Sequence, residues 1–231
     1  MSYKIFNAFT LKIIMVLLMV FDHIAQFIPG TPYWFHWFGR IVAPIFFFLL
    51  TEGYNHTRDR IAYMKRLFIW AGIMFLGNRI LFLIIRREPL IFNNIFFSMA
   101  LGIALLIVLE NHNSKEGKDS TRSTLLILLI LFCSSFAEGS IISTAIILIF
   151  HYLKEDKIKM SMAYIAISTI FLQGGFSYKN LFILNPQWMM VFSLPFILMY
   201  NGKRGKNIKY FFYVFYPIHI WVLYIIGYFI E

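Results

Sequence analysis

Asp22 and His23 stand side by side inside Leu11–Ile28, a stretch with the length and composition of a membrane-spanning helix. An ionisable pair there is costly unless it faces a wet cavity or a partner, so its default reading is a functional site. His23 has the chemistry of a general base: imidazole titrates near neutrality, and partial burial keeps it neutral. Asp22 lies about 100° round the helix from it, which argues against a direct His–Asp orienting pair. The carboxylate is better placed to hold a substrate amine or an arginine of a neighbouring helix. The structural alternative is a buried salt bridge from Asp22 to Arg40 or Arg79, with His23 bonded to a backbone carbonyl.

Lys12 and His23 are eleven residues apart, almost a whole number of helical turns. They share a face and are separated by about 16 Å along the axis. A ligand with an anionic head and a long thin arm ending in a reactive group fits that line, and acetyl-CoA is such a molecule. The plainer reading of Lys12 is a snorkelling helix-end lysine. Two basic runs, Arg58-Asp59-Arg60 to Lys65-Arg66 and Lys203–Lys209, offer either attraction to anionic lipid or a nucleotide-phosphate site, and the two are compatible.

Other candidates are scattered. Arg40 starts the second apolar stretch, and Arg79 lies within Gly77-Asn78-Arg79 of the third. A guanidinium at such depth needs a carboxylate, phosphate or carbonyl partner, and pairing with Asp22 and binding of substrate are equally open to both. Asn78 or a helix N-terminus could stabilise an oxyanion. His219 follows Pro217 in the last apolar stretch, where a proline kink can open a cavity. Glu52 is expected to pair with Arg58, Lys65 or Arg66. Glu138 is expected to be solvated near the outer surface, His151 to be interfacial, and His36 to join Tyr33, Trp34 and Trp37 in an aromatic belt.

The elements that must position these residues follow from composition. Of 231 residues, 60% are hydrophobic and 14% charged, and mean hydropathy is +0.71, which excludes a soluble domain. The net charge of +10 is broken up between apolar runs, as in the loops of a membrane protein, and forms no continuous face for nucleic acid. Cys133, the single cysteine, falls in an apolar run and reads as a packing residue. No small-residue cleavage site follows Leu11–Ile28, so it is expected to be a retained helix. The Asn55-His56-Thr57 sequon, expected to be cytoplasmic, carries no weight.

Apolar runs at Leu11–Ile28, Ile41–Tyr54, Leu67–Ile85, Asn93–Leu109, Leu125–Ala137, Ser140–Leu153, Met160–Gln173, Trp188–Tyr200 and Tyr210–Ile230 suggest an all-α, polytopic membrane bundle of about nine helices. Leu125–Ala137 and Ser140–Leu153 read either as two short helices or as one re-entrant hairpin. Lysines and arginines concentrate in alternate connections: Lys4 and Lys12, then Arg58 to Arg66, Lys115, Lys118 and Arg122, Lys154 to Lys159, and Lys203 to Lys209. That alternation predicts a cytoplasmic N-terminus. The polar loop Asn111–Ser123 reads as a linker, and the whole chain, 1–231, as one domain.

Leu11-Lys12-Ile13-Ile14 with Met19-Val20-Phe21-Asp22-His23-Ile24 resembles the first-helix signature of TraX-type proteins. Gly39-Arg40-Ile41, Ala43-Pro44-Ile45-Phe46, Glu52-Gly53-Tyr54 and His56-Thr57-Arg58 resemble its second motif, and Phe215-Tyr216-Pro217-Ile218-His219 its last helix. TraX proteins are associated with N-terminal acetylation of conjugative pilin. They are also similar to the wider transmembrane acyltransferase class, including acyltransferase family 3, in which a basic residue and a histidine are similarly spaced on the first helix. The resemblance implies a multi-pass protein of a bacterial inner or plasma membrane with acetyl-CoA as donor on the cytoplasmic side.

On this reading Lys12, Arg58, Arg60, Lys65 and Arg66 hold the CoA phosphates, His23 is the base, and Asp22, Arg40 and Arg79 position the acceptor or acyl carbonyl. His219 lines the cavity. The acceptor is a peptide N-terminus or a carbohydrate. The surrounding lipids are partners, no nucleic acid or metal is expected, and a homo-oligomer is left open. Two other classes compete: a proton-coupled transporter or flippase using Asp22, His23, Arg79 and His219, with no internal repeat to support it, and a haem protein with His23 and His219 as axial ligands.

Overall fold

A computed structural model describes residues 4–88, 90–114, 120–172 and 175–230. Residues 115–119, with Lys115 and Lys118, lie outside the described residues, as does Gln173 at the end of one expected span; the rest of the expected linker Asn111–Ser123 is helical, as the end of one helix and the start of the next. The described chain is helical, with no strand beyond an isolated bridge between Phe6 and Tyr200. Among the described residues the α-helices run in the order α1 (Ala8–Phe27), α2 (Phe35–Asn55), α3 (Arg60–Ile85), α4 (Ile95–Ser114), α5 (Ser120–Ser134), α6 (Ser140–Tyr152), α7 (Lys157–Thr169), α8 (Leu194–Leu198) and α9 (Lys209–Ile230). Asn7, Asp59 and Asp156 each stop their helix from unwinding by accepting hydrogen bonds from first-turn N–H groups of α1, α3 and α7. Bonds to the backbone and side chain of Lys159 hold the Asp156 carboxyl below its ordinary range.

Among the described residues, five helices are long and apolar enough to cross a membrane: Ala8–Phe27, Phe35–Asn55, Arg60–Ile85, Ile95–His112 and Tyr210–Ile230. The protein is therefore a multi-pass membrane protein whose elements do not match nine spans one for one. α5 and α6 have 15 and 13 residues, which at 1.5 Å each fall short of a core about 30 Å thick. They form a hairpin of two short helices joined by the turn at 135–139. The expected span Trp188–Tyr200 is a 3-10 run, Pro186–Ser193, followed by the five-residue α8. Proline near the start of both pieces removes N–H donors that a continuous helix would use. Hydropathy registers such a segment as a span because it sees composition and not backbone geometry. α3 turns Ile69, Phe75, Leu76, Ile80 and Leu83 outward and exposes an apolar face suited to lipid.

The core lies where α1, α2, α4, α6 and α9 meet, around Leu11, Met15, Ile45, Phe48, Ile103, Phe150 and Tyr224. Two connections enter this core instead of skirting it. α3 ends at Arg86 in a left-handed conformation (φ 52°), and the chain then turns back along the bundle. Buried Arg87 donates to the carbonyls of Phe27 and Tyr224 at 2.8 and 3.0 Å. The Tyr224 hydroxyl answers with a 2.5 Å bond to the Arg87 carbonyl. Further on, Asn78 donates to the carbonyls of Ile91 and Asn93, and Asn94 donates to that of Ala71. α4 therefore begins beside the middle of α3. The second inward connection is the α5–α6 turn, considered with the site.

Candidate functional site

A cavity of about 430 Å³ runs between α1, α2, α3, α4 and α9, within the size range of small-molecule sites. On α1 it is lined by Lys12, Val16, Met19 and His23, spaced four, three and four residues apart, which is one stripe of a helix. Lys12 and His23 therefore face the same space from opposite ends. Between them the wall is apolar, with Val42, Ala43, Phe46 and Leu50 from α2 and Phe96 and Met99 from α4. The Lys12 end also carries Arg66, Arg204 and Lys206, and the His23 end carries Asp22, Glu138 and Tyr216.

His23 is buried and held from two sides. Its Nδ1 is 2.7 Å from His219 Nε2, and His219 Nδ1 is 2.8 Å from the carbonyl oxygen of Phe215. A carbonyl only accepts, so His219 Nδ1 carries a hydrogen and its Nε2 has the lone pair. His23 must then donate through Nδ1, leaving the lone pair on its own Nε2. That nitrogen faces the Asn93 amide at 3.3 Å. A paired exchange of hydrogen bonds with Gln26, at 2.9 and 3.2 Å, orients the Asn93 amide. The ring of Phe215 stacks on His219 at 4.9 Å and fixes its plane. The sequence-based alternative in which a backbone carbonyl satisfies His23 does not occur; the carbonyl bonds His219, one step behind.

Asp22 belongs to a separate set. Its Oδ1 accepts from His36 Nδ1 at 2.7 Å and pairs with Arg40 at 3.5 Å. Arg40 also donates to the His36 carbonyl and to Gln187, at 3.2 and 2.9 Å. His36 lies in the first turn of α2, so the expectation of an aromatic-belt residue gives way to that of a carboxylate partner. Gly39 makes this possible, because a Cβ there would land on the Asp22 carboxylate.

Glu138 sits at the α5–α6 turn and reverses the expectation of a solvated surface carboxylate. Its Oε2 accepts from the Asn94 N–H at 2.7 Å and from the Tyr216 hydroxyl at 3.1 Å. Tyr216 is about 10 Å along α9, so the turn reaches well into the bundle. The Tyr216 ring also touches that of His23 edge-on, at 6.3 Å.

Several expected site residues stand elsewhere. Arg79 is exposed, over the Phe75 ring, off the cavity. Asn78 is committed to Ile91, Asn93 and the indole of Trp221 and is a packing amide, not an oxyanion donor. His219 does not line the cavity but stands behind His23. Arg58 and Arg60 line a separate shallow pocket with Tyr54 and Glu110, where Arg60 pairs with Glu110. Lys65 is exposed, and only Lys12 and Arg66 of the expected phosphate ligands reach the cavity. Glu52 lines the cavity without pairing with Arg58, Lys65 or Arg66; its charge, after burial, pushes the nearby Tyr200 phenol up to about 12. His151 bonds Glu110 at 3.3 Å.

Sequence reasoning missed Glu138, Asn93, His36 and Gln187 as partners. Glu138 carried a usable signal, an acid isolated between two apolar runs.

The three sequence blocks around Asp22-His23, Gly39-Arg40 and Phe215–His219 meet at one end of one cavity. The TraX protein family model matches residues 8–227. The chain belongs to the TraX family. A relative described as probable fimbrial assembly protein FimC, serogroup H1, of Dichelobacter nodosus is 27% identical over 238 residues, covering 94% of each chain. No solved structure matches the chain. In this TraX chain the match runs from α1 through α9, so the cavity lies wholly within the family region.

Proposed function

We propose that this TraX protein is an integral-membrane acetyltransferase that moves an acetyl group from acetyl-CoA to an amine, with a peptide or pilin N-terminus as the favoured acceptor. The observation that carries the reading is the continuous cavity joining a cationic mouth at Lys12 to a tautomer-fixed imidazole at His23. The concentration of basic residues at that mouth supports a cytoplasmic donor entrance. The description of the relative as a fimbrial assembly protein supports a pilin-type acceptor.

The residues fit the donor. Lys12 and Arg66 supply cations for phosphate, the apolar wall suits an uncharged arm, and His23 stands where the arm would end. In the reaction the acceptor nitrogen attacks the acetyl carbonyl, the carbon–sulfur bond breaks and the thiolate leaves. His23 Nε2 takes the amine proton, exchanging its weak contact with Asn93, and returns it to the thiolate. His23 keeps its Nδ1–H bond to His219 throughout. Asp22, hydrogen-bonded by His36 and paired with Arg40, positions the acceptor end.

The test is transfer from labelled acetyl-CoA to a peptide with a free N-terminus, using the full chain in nanodiscs. His23→Ala is expected to lose about 100-fold or more in rate. Full transfer by that variant ends the proposal. The inward start of α4 resembles the interrupted helices of transporters, which keeps that class as a second reading. Proton-driven flux in proteoliposomes without a CoA donor would favour it.

A further inference from the structure

The connection between α8 and α9 does more than join them. Residues 199–204 run along the start of the chain: Ile5 N–H donates to the Met199 carbonyl at 2.9 Å, and Asn201 N–H to that of Phe6 at 2.8 Å. Ala8 and Phe9, at the start of α1, donate their N–H groups to the carbonyls of Lys203 and Arg204 at 2.8 and 3.1 Å. These α1 donors are therefore already used, so the start of the helix does not itself hold an anion at this mouth.

The side chains are suited to it. Arg204 and Lys206 sit exposed at the rim, and half-buried Lys12 and Arg66 lie further in, all lining the same cavity. None of the four makes an ion pair among the described residues. Lys12 lies over the Phe212 ring, Arg66 faces Tyr63 and Tyr213, and Arg204 donates to Asn207. Glu52 also lines the cavity but pairs with none of the four among the described residues, so the cations outnumber the carboxylate there and repel one another, an arrangement that a polyanion relieves. Gly205, between the two rim cations, has φ +71°, and a Cβ there would press on Asn7 and Phe9. The glycine lets the loop clamp onto α1 with its cations over the cavity.

We infer that Arg204 and Lys206, with Lys12 and Arg66, form a binding site for a ligand bearing two or more phosphate groups. The inference rests on the acetyl-transfer reading for its preferred source, a CoA thioester, whereas the two-phosphate headgroup of cardiolipin offers the same chemistry. The site assigns half of the phosphate contacts to the 201–207 loop and none to Arg58, Arg60 or Lys65.

The test measures CoA binding, without its acetyl group, to the full chain in zwitterionic nanodiscs, alongside pantetheine, which lacks the phosphates. A second arm measures enrichment of cardiolipin, whose headgroup bears two phosphates, around the protein in mixed-lipid nanodiscs. Arg204→Ala and Lys206→Ala are each expected to weaken CoA binding about three- to tenfold, and the pair by more than tenfold. The wild-type affinity is expected to fall with salt, and Arg58→Ala to bind as wild type. Loss of lipid enrichment with no CoA binding identifies the headgroup source and retains the site. If the double variant matches wild type in both arms, the inference is overturned. CoA binding that depends on Arg204 and Lys206 without any acetyl transfer leaves the site standing while the proposed function falls.

Discussion

His23 is useful as a base only if its Nε2 presents a lone pair at a fixed position, and that is decided one residue away. His219 receives the Nδ1 hydrogen of His23 because the Phe215 carbonyl holds the other nitrogen of His219 in its donor form. His219 is therefore a positioning residue. His219→Ala leaves His23 free to change tautomer and to tilt, and misplacement of that order costs roughly 100-fold in rate. The loss is expected in kcat, with KM for the donor unchanged. A glutamine at 219 has both an acceptor for His23 and a donor for Phe215, so His219→Gln is expected to recover most of the activity. Equal losses in the two variants would show that packing, and not hydrogen-bond direction, is what position 219 supplies.

At the scale of elements, the site depends on α4 beginning inside the bundle. A buried helix start leaves N–H groups without intrahelical partners. Here Asn94 N–H is satisfied by Glu138, Ile95 N–H by the Tyr216 hydroxyl, and Phe97 N–H by the Asn94 side chain at 3.3 Å. The α5–α6 turn thus acts as a detached cap for α4, and its carboxylate also suits the positive end of the helix dipole. Glu138→Ala is expected to lower stability in detergent by about 1–2 kcal/mol, read from unfolding with denaturant, and Glu138→Gln by about half as much because an acceptor oxygen remains. Identical stability of wild type and Glu138→Ala would remove the capping role. The same element marks the boundary of what the sequence carries. The Lys12–Val16–Met19–His23 stripe was legible because helical period is local, and the separation of Asp22 from His23 followed from the same period. The depth of the α5–α6 turn, the return of the chain after Arg86 and the non-helical run at 186–193 depend on which distant groups satisfy the backbone. Periodicity and hydropathy contain no such information.

For the whole molecule, the cavity makes the two ends chemically unlike. The Lys12 end combines Arg66, Arg204 and Lys206 on the cavity with the nearby α4 end, where Glu110 gathers Tyr54, Arg60 and His151. The Asp22 end is built from Arg40, Gln187 and aromatic side chains such as Tyr33 and Trp37, which donate to the carbonyls of Ile183 and Phe182. By the same rule that places basic connections on the cytoplasmic face, the Lys12 end is expected to lie inward, and on the proposed function a soluble phosphate-bearing donor and an acceptor would then approach from opposite sides. Single cysteines placed in a Cys133→Ser background test this. A cysteine at position 58 or 204 is expected to react with a membrane-impermeant maleimide only after the cells are opened, and one at 34 or 184 in intact spheroplasts. The reverse pattern would place the cationic mouth outside, beyond reach of any cytoplasmic CoA pool, and would rule out the proposed direction of transfer without disturbing the geometry of His23.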